Sequence, residues 1–170
     1  MVKYDMETLK AKAAKIELLL MDCDGVLTDG SLFFSSDGEA FKVFNVRDGQ
    51  GINDWHSAGF HSGVISGRGA EGILKKRCEE LGMKFLITDS KDKGVELNRI
   101  LEIEGLSADQ VAFIGDDKGD IEILRRVGFP VAVADAAEDL KECVIHTTES
   151  KGGRGAVREL IELLLRLKTS

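Results

Sequence analysis

An α/β protein built on a doubly wound parallel sheet is what this sequence predicts, and three observations predict it. Helix-like stretches give way to strand-like ones at Gly59, Gly82, Gly105 and Gly128, each glycine followed at once by an apolar residue. A glycine in the left-handed conformation, with the next side chain packing back, is a common way for a helix to stop. The strands are short continuous apolar runs, as strands covered on both faces are. They end abruptly in polar groups, as where Leu18-Leu19-Leu20-Met21 runs into Asp22-Cys23-Asp24-Gly25. Helix and strand alternate regularly from residue 48 onward, which implies parallel pairing in a Rossmann-like, doubly wound sheet.

In chain order, Asp5 to Lys15 reads as an amphipathic helix with Met6, Leu9 and Ala13 on one side, feeding a first strand from Ile16 to Met21. Ser31 to Phe34 and Glu39 to Phe44 are strand-like runs around Ser36-Asp37-Gly38, where Asp-Gly signals a hairpin. This flap, residues 31–46, follows the carboxylate pair directly and is placed to cover it. A helix through Ile52 and Trp55 leads to the strand Phe60 to Ile65, and one from about Ala70 leads to Met83 to Ile87. A third helix ends at Glu104; a capping-box pattern at Ser107 and Gln110 then precedes the strand Val111 to Ile114. A fourth precedes Phe129 to Val133, and Cys143 to Ile145 is read as a last short strand. Residues 152–168 form a glycine-rich tail and a closing helix with Val157, Leu160, Ile161 and Leu164 on one face. The glycines at 152, 153 and 155 suit either a plain flexible linker or a joint that lets the tail reach a neighbouring subunit. With no large insert and no internal repeat, the 170 residues are expected to form one domain.

Composition narrows the partners. The net charge is −7 with no basic block, which argues against a nucleic-acid partner but leaves room for a small anion bound by a local Lys or Arg cluster. Cys23, Cys78 and Cys143 are odd in number, far apart and in no CxxC arrangement, so neither a disulfide framework nor a zinc site is expected. A reducing cytoplasm fits that usage. The first fifteen residues are charged and helix-like, and no apolar run approaches the ~20 residues that span a bilayer.

Four strands finish in polar groups: Asp22 and Asp24; Ser66 and Arg68; Thr88 and then Lys93; Asp116, Asp117 and Asp120. In a parallel sheet these ends share one edge, where ligands bind at the point of reversed strand order. Two carboxylates ~4 Å apart repel by about 4 kcal/mol at an effective dielectric near 20. A divalent cation removes that repulsion, and oxygen-only ligands suit Mg²⁺, which commonly joins one or two carboxylates to a substrate phosphate. A hydroxyl from Ser66 and an ammonium from Lys93 would complete a phosphoryl site. Asp22 can then attack phosphorus, while Asp24 protonates the leaving oxygen and later activates water.

Asp22-x-Asp24-Gly25-Val26-x-Thr28, Ser66 after a strand, Lys93, and Gly115-Asp116-Asp117-x-x-Asp120 resemble, in order, the four motifs of the haloacid dehalogenase superfamily of phosphohydrolases. The resemblance implies that Asp22 is the nucleophile and Asp24 the general acid and base. It also implies that Ser66 and Lys93 hold the phosphoryl group, that Asp22, the Asp24 carbonyl and Asp116 bind Mg²⁺, and that Asp117 and Asp120 orient the others. With Phe44-Asn45-Val46-Arg47-Asp48-Gly49 and Gly152-Gly153-Arg154-Gly155 added, the chain is similar to the branch that lacks a large cap domain and hydrolyses sugar-acid monophosphates. That similarity implies a homotetramer whose subunits cap each other's sites. The implied substrate is 3-deoxy-D-manno-octulosonate 8-phosphate, with nonulosonate 9-phosphates as the alternative. Ser66 stands where the branch usually has Thr, and the hydroxyl survives. Arg68, Arg47 and Arg154 are the candidates to bind the sugar-acid carboxylate through their bidentate forks.

Two other classes compete. Gly67-Arg68-Gly69-Ala70-Glu71-Gly72, with Asp89 about 20 residues on, formally satisfies the dinucleotide fingerprint, but leaves the aspartates at 22, 24, 116 and 120 unexplained. A receiver-like signalling domain would share the acidic residues and Mg²⁺ yet lack turnover.

Overall fold

Leu18–Met21 form β1, and all four residues are fully buried. A strand covered on both faces also needs a partner on each edge. β4 (His61–Ile65) pairs with it on one side and β6 (Val111–Gly115) on the other, both parallel. β5 (Phe85–Ile87) lies beyond β4, while β7 (Phe129–Ala132) and β8 (His146–Thr147) lie beyond β6, all parallel. The computed structural model describes residues 4–69 and 71–169, so the expected helix start at Ala70 lies outside the described residues. The chain runs outward from β1 through β4 to β5, then crosses to β6 and runs outward the other way. Strand order therefore reverses at β1, and ligands bind beside such a reversal.

Seven α-helices are described: α1 (Met6–Ala13), α2 (Val46–Ser57), α3 (Glu71–Glu80), α4 (Lys93–Glu104), α5 (Ile121–Leu124), α6 (Glu138–Lys141) and α7 (Ala156–Lys168). The expected stripe on α7 is buried at Val157, Leu160, Ile161 and Leu164, and the helix packs chiefly against α2. Gly59, Gly82 and Gly105 take positive φ as expected of helix stops. Gly128 does not. A Cβ there would fall 2.2 Å from the Asp109 carbonyl oxygen, so the glycine answers a close approach of two backbones rather than a left-handed turn.

The last strand also differs from expectation, lying at His146–Thr147 rather than Cys143–Ile145. The Cys143 N–H still donates to the Leu140 carbonyl at 2.9 Å, so that stretch has not yet left the turn after α6. The flap forms, but its strands β2 (Phe33–Ser35) and β3 (Gly38–Phe41) are shorter than the sequence suggests. Phe33 stacks on Phe41 at 4.5 Å, and Phe34 and Phe41 remain 65% and 51% exposed.

The glycine-rich tail is anchored on its own chain and is not a free linker. A Cβ at Gly152 would lie 1.7 Å from the Gly25 carbonyl oxygen, and one at Gly153 would lie 2.4 Å from the Asp29 nitrogen. The Gly153 N–H donates to the Val26 carbonyl at 2.8 Å, so residues 152–153 brace the loop that follows β1. The N-cap of α7 is Gly155, which has no side chain to cap the helix. Asp48 of α2 supplies the cap instead, accepting from the Gly155 and Arg158 N–H groups at 3.2 and 2.9 Å.

Candidate active site

The register sets Met21 opposite Val64 and Ile114, so β1 ends one residue before β4 and β6, and Asp22, Ser66 and Asp116 are each the first residue beyond their strand at one edge of the sheet. Asp22 follows β1, and its Oδ1 accepts the Cys23 N–H at 2.6 Å and pairs with the Lys93 ammonium at 2.9 Å. The chain then turns sharply at Gly25 (φ 90°), and the N–H groups of Leu27 and Thr28 return to the Cys23 carbonyl at 2.9 and 3.0 Å. A side chain at 25 would collide with the Asp116 carboxylate, at 2.0 Å from its Oδ2. That contact is why the motif needs glycine there.

Ser66 is buried at the end of β4, with its Oγ accepting the Arg68 N–H at 3.2 Å. Asp92 caps α4 by accepting the Gly94 N–H at 2.8 Å, so Lys93 is the helix's first residue and is only 7% exposed. Beyond β6, the chain bends back through a 3₁₀ turn (Lys118–Asp120) capped by the Asp117 side chain at 2.7 Å. The turn delivers the buried Asp120 to two partners. Its Oδ1 takes Lys93 at 2.6 Å and its Oδ2 the Asp116 N–H at 2.9 Å, which orients both neighbours.

One carboxylate oxygen from each of Asp22, Asp116 and Asp120 lies within 4.8 Å of the others. Burial pushes Asp116 up to about 8, reinforced by the Asp22 and Asp120 charges. Burial likewise raises Asp22 to about 6, with Asp120 adding to the rise and Lys93 opposing it. For Lys93 burial works against the charge, yet Asp120 and Asp22 outweigh it and hold the ammonium above its usual range. Lys93 alone therefore does not neutralise the cluster. Asp116 Oδ1 is buried without a hydrogen-bond partner, aimed among oxygen donors, and this donor set fits a hard divalent cation such as Mg²⁺. Asp22 and Asp116 would hold it; both Asp120 oxygens are already engaged. A cation there would neutralise the carboxylates and polarise a phosphoryl oxygen.

The resulting cleft, about 240 Å³, is lined by Asp22, Asp24, Ser66, Lys93, Asp116 and Asp117, with Arg68 at its edge. The Asp24 carboxylate turns away from the metal-type cluster towards Lys42 and Arg68, which leaves Asp24 only its backbone carbonyl for metal binding. Of the three candidate arginines, Arg68 alone joins the cleft. Arg47 and Arg154 line a separate cavity of about 470 Å³ with Arg158 and Glu159, and Arg154 pairs with Asp29 at 3.0 Å. Two residues that sequence reasoning missed, Lys42 and Glu39 of the flap, reach the site. Their one signal was a charged residue set into the aromatic run Phe41-Lys42-Val43-Phe44. The dinucleotide motif has another explanation: Asp89 folds onto Gly69, where a Cβ would meet its carboxylate at 2.6 Å.

A parallel sheet presenting a carboxylate pair, a hydroxyl, a lysine and a second acidic loop at adjacent strand ends defines a phosphoryl-handling hydrolase. The chain belongs to the haloacid dehalogenase-like hydrolases, whose family pattern matches residues 73–161. It is 41% identical over 155 residues, 91% of this chain and 82% of the relative, to the 3-deoxy-D-manno-octulosonate 8-phosphate phosphatase of Escherichia coli K12. The corresponding phosphatase from Moraxella catarrhalis, solved with magnesium, phosphate and KDO, superposes with a TM-score of 0.93 at 33% identity, covering 97% of this chain and 94% of that one. The cobalt-bound form from Haemophilus influenzae superposes with a TM-score of 0.90 at 37% identity, covering 93% and 92%. Among the described residues, no helix is long and apolar enough to cross a membrane.

Proposed function

We propose that the protein is a Mg²⁺-dependent phosphatase of a sugar-acid monophosphate, with 3-deoxy-D-manno-octulosonate 8-phosphate as substrate. The observation that carries the reading is the convergence of Asp22, Asp116 and Asp120 on Lys93 beside Ser66. The substrates of the relatives above support the sugar acid. In the first step an oxygen of Asp22 bonds to phosphorus as the P–O bond to the sugar breaks, and the departing oxygen takes a proton from Asp24. In the second, Asp24 takes a proton from water, whose oxygen bonds to phosphorus and releases Asp22 and inorganic phosphate. Lys93 and the Ser66 hydroxyl hold the transferring phosphoryl oxygens, and Asp117 and Asp120 keep the acidic loop in place. Arg68 is the cleft's candidate for the substrate carboxylate; Arg47 and Arg154 would need a second subunit to reach one.

The whole chain works as one domain in this reading. Self-association, which a homotetramer would satisfy, is supported by the exposed aromatic flap, and a cytoplasmic setting by the free cysteines. The test is kcat/KM, in Mg²⁺, for octulosonate 8-phosphate, nonulosonate 9-phosphates and hexose phosphates. Octulosonate 8-phosphate is expected to lead by at least about tenfold, a margin of ~1.4 kcal/mol in transition-state binding. A lead for the 9-phosphates would reassign the substrate. Saturable NAD(H) binding or a lasting phosphoprotein without turnover would overturn the enzyme reading.

A further inference from the structure

Lysine is almost never fully buried unless it is paired, and normally keeps its head in water. Lys42 is such a buried, paired lysine. It directly follows β3, its neighbours Phe41 and Val43 are exposed, and its own side chain is 0% exposed. Its ammonium lies against Asp24 Oδ1 and 2.7 Å from Glu39 Oε1. Arg68 closes the other side, with its Nε 3.6 Å from Asp24 Oδ2 and a terminal nitrogen 3.4 Å from Glu39 Oε2. The Asp24 Oδ2 atom is itself buried without a hydrogen-bond partner, on a residue that lines the cleft.

We infer that Lys42 is a positioning residue for the reaction: by occupying one oxygen of Asp24, it fixes the carboxyl group with the other, Oδ2, left without a hydrogen-bond partner for proton transfer to the leaving oxygen. The inference rests on the reading of Asp24 as general acid. In that step the O–H bond on Asp24 breaks, the sugar oxygen gains the proton as its bond to phosphorus breaks, and Asp24 is left ionised against Lys42. Glu39 holds the ammonium from behind, so the flap's docking and the aim of the acid are one arrangement. A side chain whose head is held by two carboxylates loses rotamer freedom at the point where aim matters.

The prediction concerns leaving groups. A nitrophenolate departs without a proton, whereas a sugar alkoxide needs one. Lys42→Met should therefore lower kcat on octulosonate 8-phosphate, or on whichever alkyl phosphate the wild type turns over best, by about tenfold or more, and on nitrophenyl phosphate by less than about threefold. Lys42→Arg should recover most of the loss. In an Asp24→Asn background, Lys42→Met should cost almost nothing more on the alkyl substrate. If Lys42→Met fails to fold by circular dichroism, Glu39→Gln carries the same comparison with a smaller loss of the same pattern. Equal losses on both substrates, or none, would overturn the inference. Wild-type hydrolysis of nitrophenyl phosphate separately tests the phosphatase reading, so the two can fail independently.

Discussion

The cleft and the flap are neighbours built on opposite terms. In the cleft, position comes from backbone: three adjacent parallel strands end at one edge, and Asp22, Ser66 and Asp116 are each the first residue beyond their strand. The flap is a short two-stranded ribbon with exposed aromatics, joined to the cleft through the charges of Lys42, Glu39, Asp24 and Arg68. A single hairpin is marginal in water by itself, so its geometry depends on what it docks against. The difference assigns phosphoryl chemistry to the rigid part and leaves selection of the leaving group to the adjustable part.

The sharpest way to break the comparison is to remove the proposed nucleophile. Asp22→Asn keeps the shape of the cleft but not an attacking carboxylate, and turnover of nitrophenyl phosphate should fall by about 10⁴-fold or more. Retained activity above about one per cent would move the nucleophile elsewhere. The next largest effect should come from outside the cleft. Gly152→Ala drives a methyl into the Gly25 carbonyl, so the loop after β1 must shift. Overpacking of this kind costs about 1–3 kcal/mol, and here the obstacle is backbone rather than a flexible side chain. Urea denaturation should show that loss, together with reduced kcat, while Gly72→Ala, with open space around it and outside the cleft, should show neither.

A third test uses charge. Asp22 and Asp116 stand at about 6 and about 8 in the folded chain, both raised from 3.8. A raised carboxyl favours the fold below its unfolded value and loses that contribution as pH climbs through the folded one. The metal-free protein should therefore lose stability from these two groups between about pH 4 and about pH 8. A cation binding the ionised carboxylates opposes this, so the rise in Tm with Mg²⁺ should be larger at pH 8.5 than at pH 5. At 100 times Kd the stabilisation is about 2.7 kcal/mol, which is several degrees for a chain of this size. A rise independent of pH would separate the metal from these aspartates.

The contrast between cleft and flap also marks what could be read from sequence. Asp22, Ser66, Lys93 and Asp116 were legible because strand ends are set by local pattern, and a parallel sheet gathers them whatever the rest does. Gly152 and Gly153 were not: glycine reads as freedom in a sequence, and their tight fit against residues 25–29 exists only once distant segments meet. Gly128 failed for the same reason. Lys42 is not legible in the sequence, since its partner Asp24 lies eighteen residues earlier. Arg47 and Arg154 drew notice by chemistry alone, and the fold takes them to another cavity.

The smallest effect on the chain itself is expected at the tip of that contrast. Phe34 is 65% exposed, so Phe34→Ser removes little buried area and should change urea stability measured at low protein concentration by less than about 0.5 kcal/mol. Contiguous exposed apolar surface, however, commonly marks an interaction site, and Phe33, Phe41 and Val43 lie in the same flap. If subunits assemble into the proposed tetramer through it, light scattering should show Phe34→Ser shifting the protein towards smaller species. The flap carries the groups that hold Asp24, so dissociation should lower kcat/KM on the sugar-acid phosphate more than on nitrophenyl phosphate. An unchanged size would rule the flap out as the interface of the proposed tetramer. A dissociated protein with full activity on both substrates would show that the flap docks on the cleft without help from its neighbours.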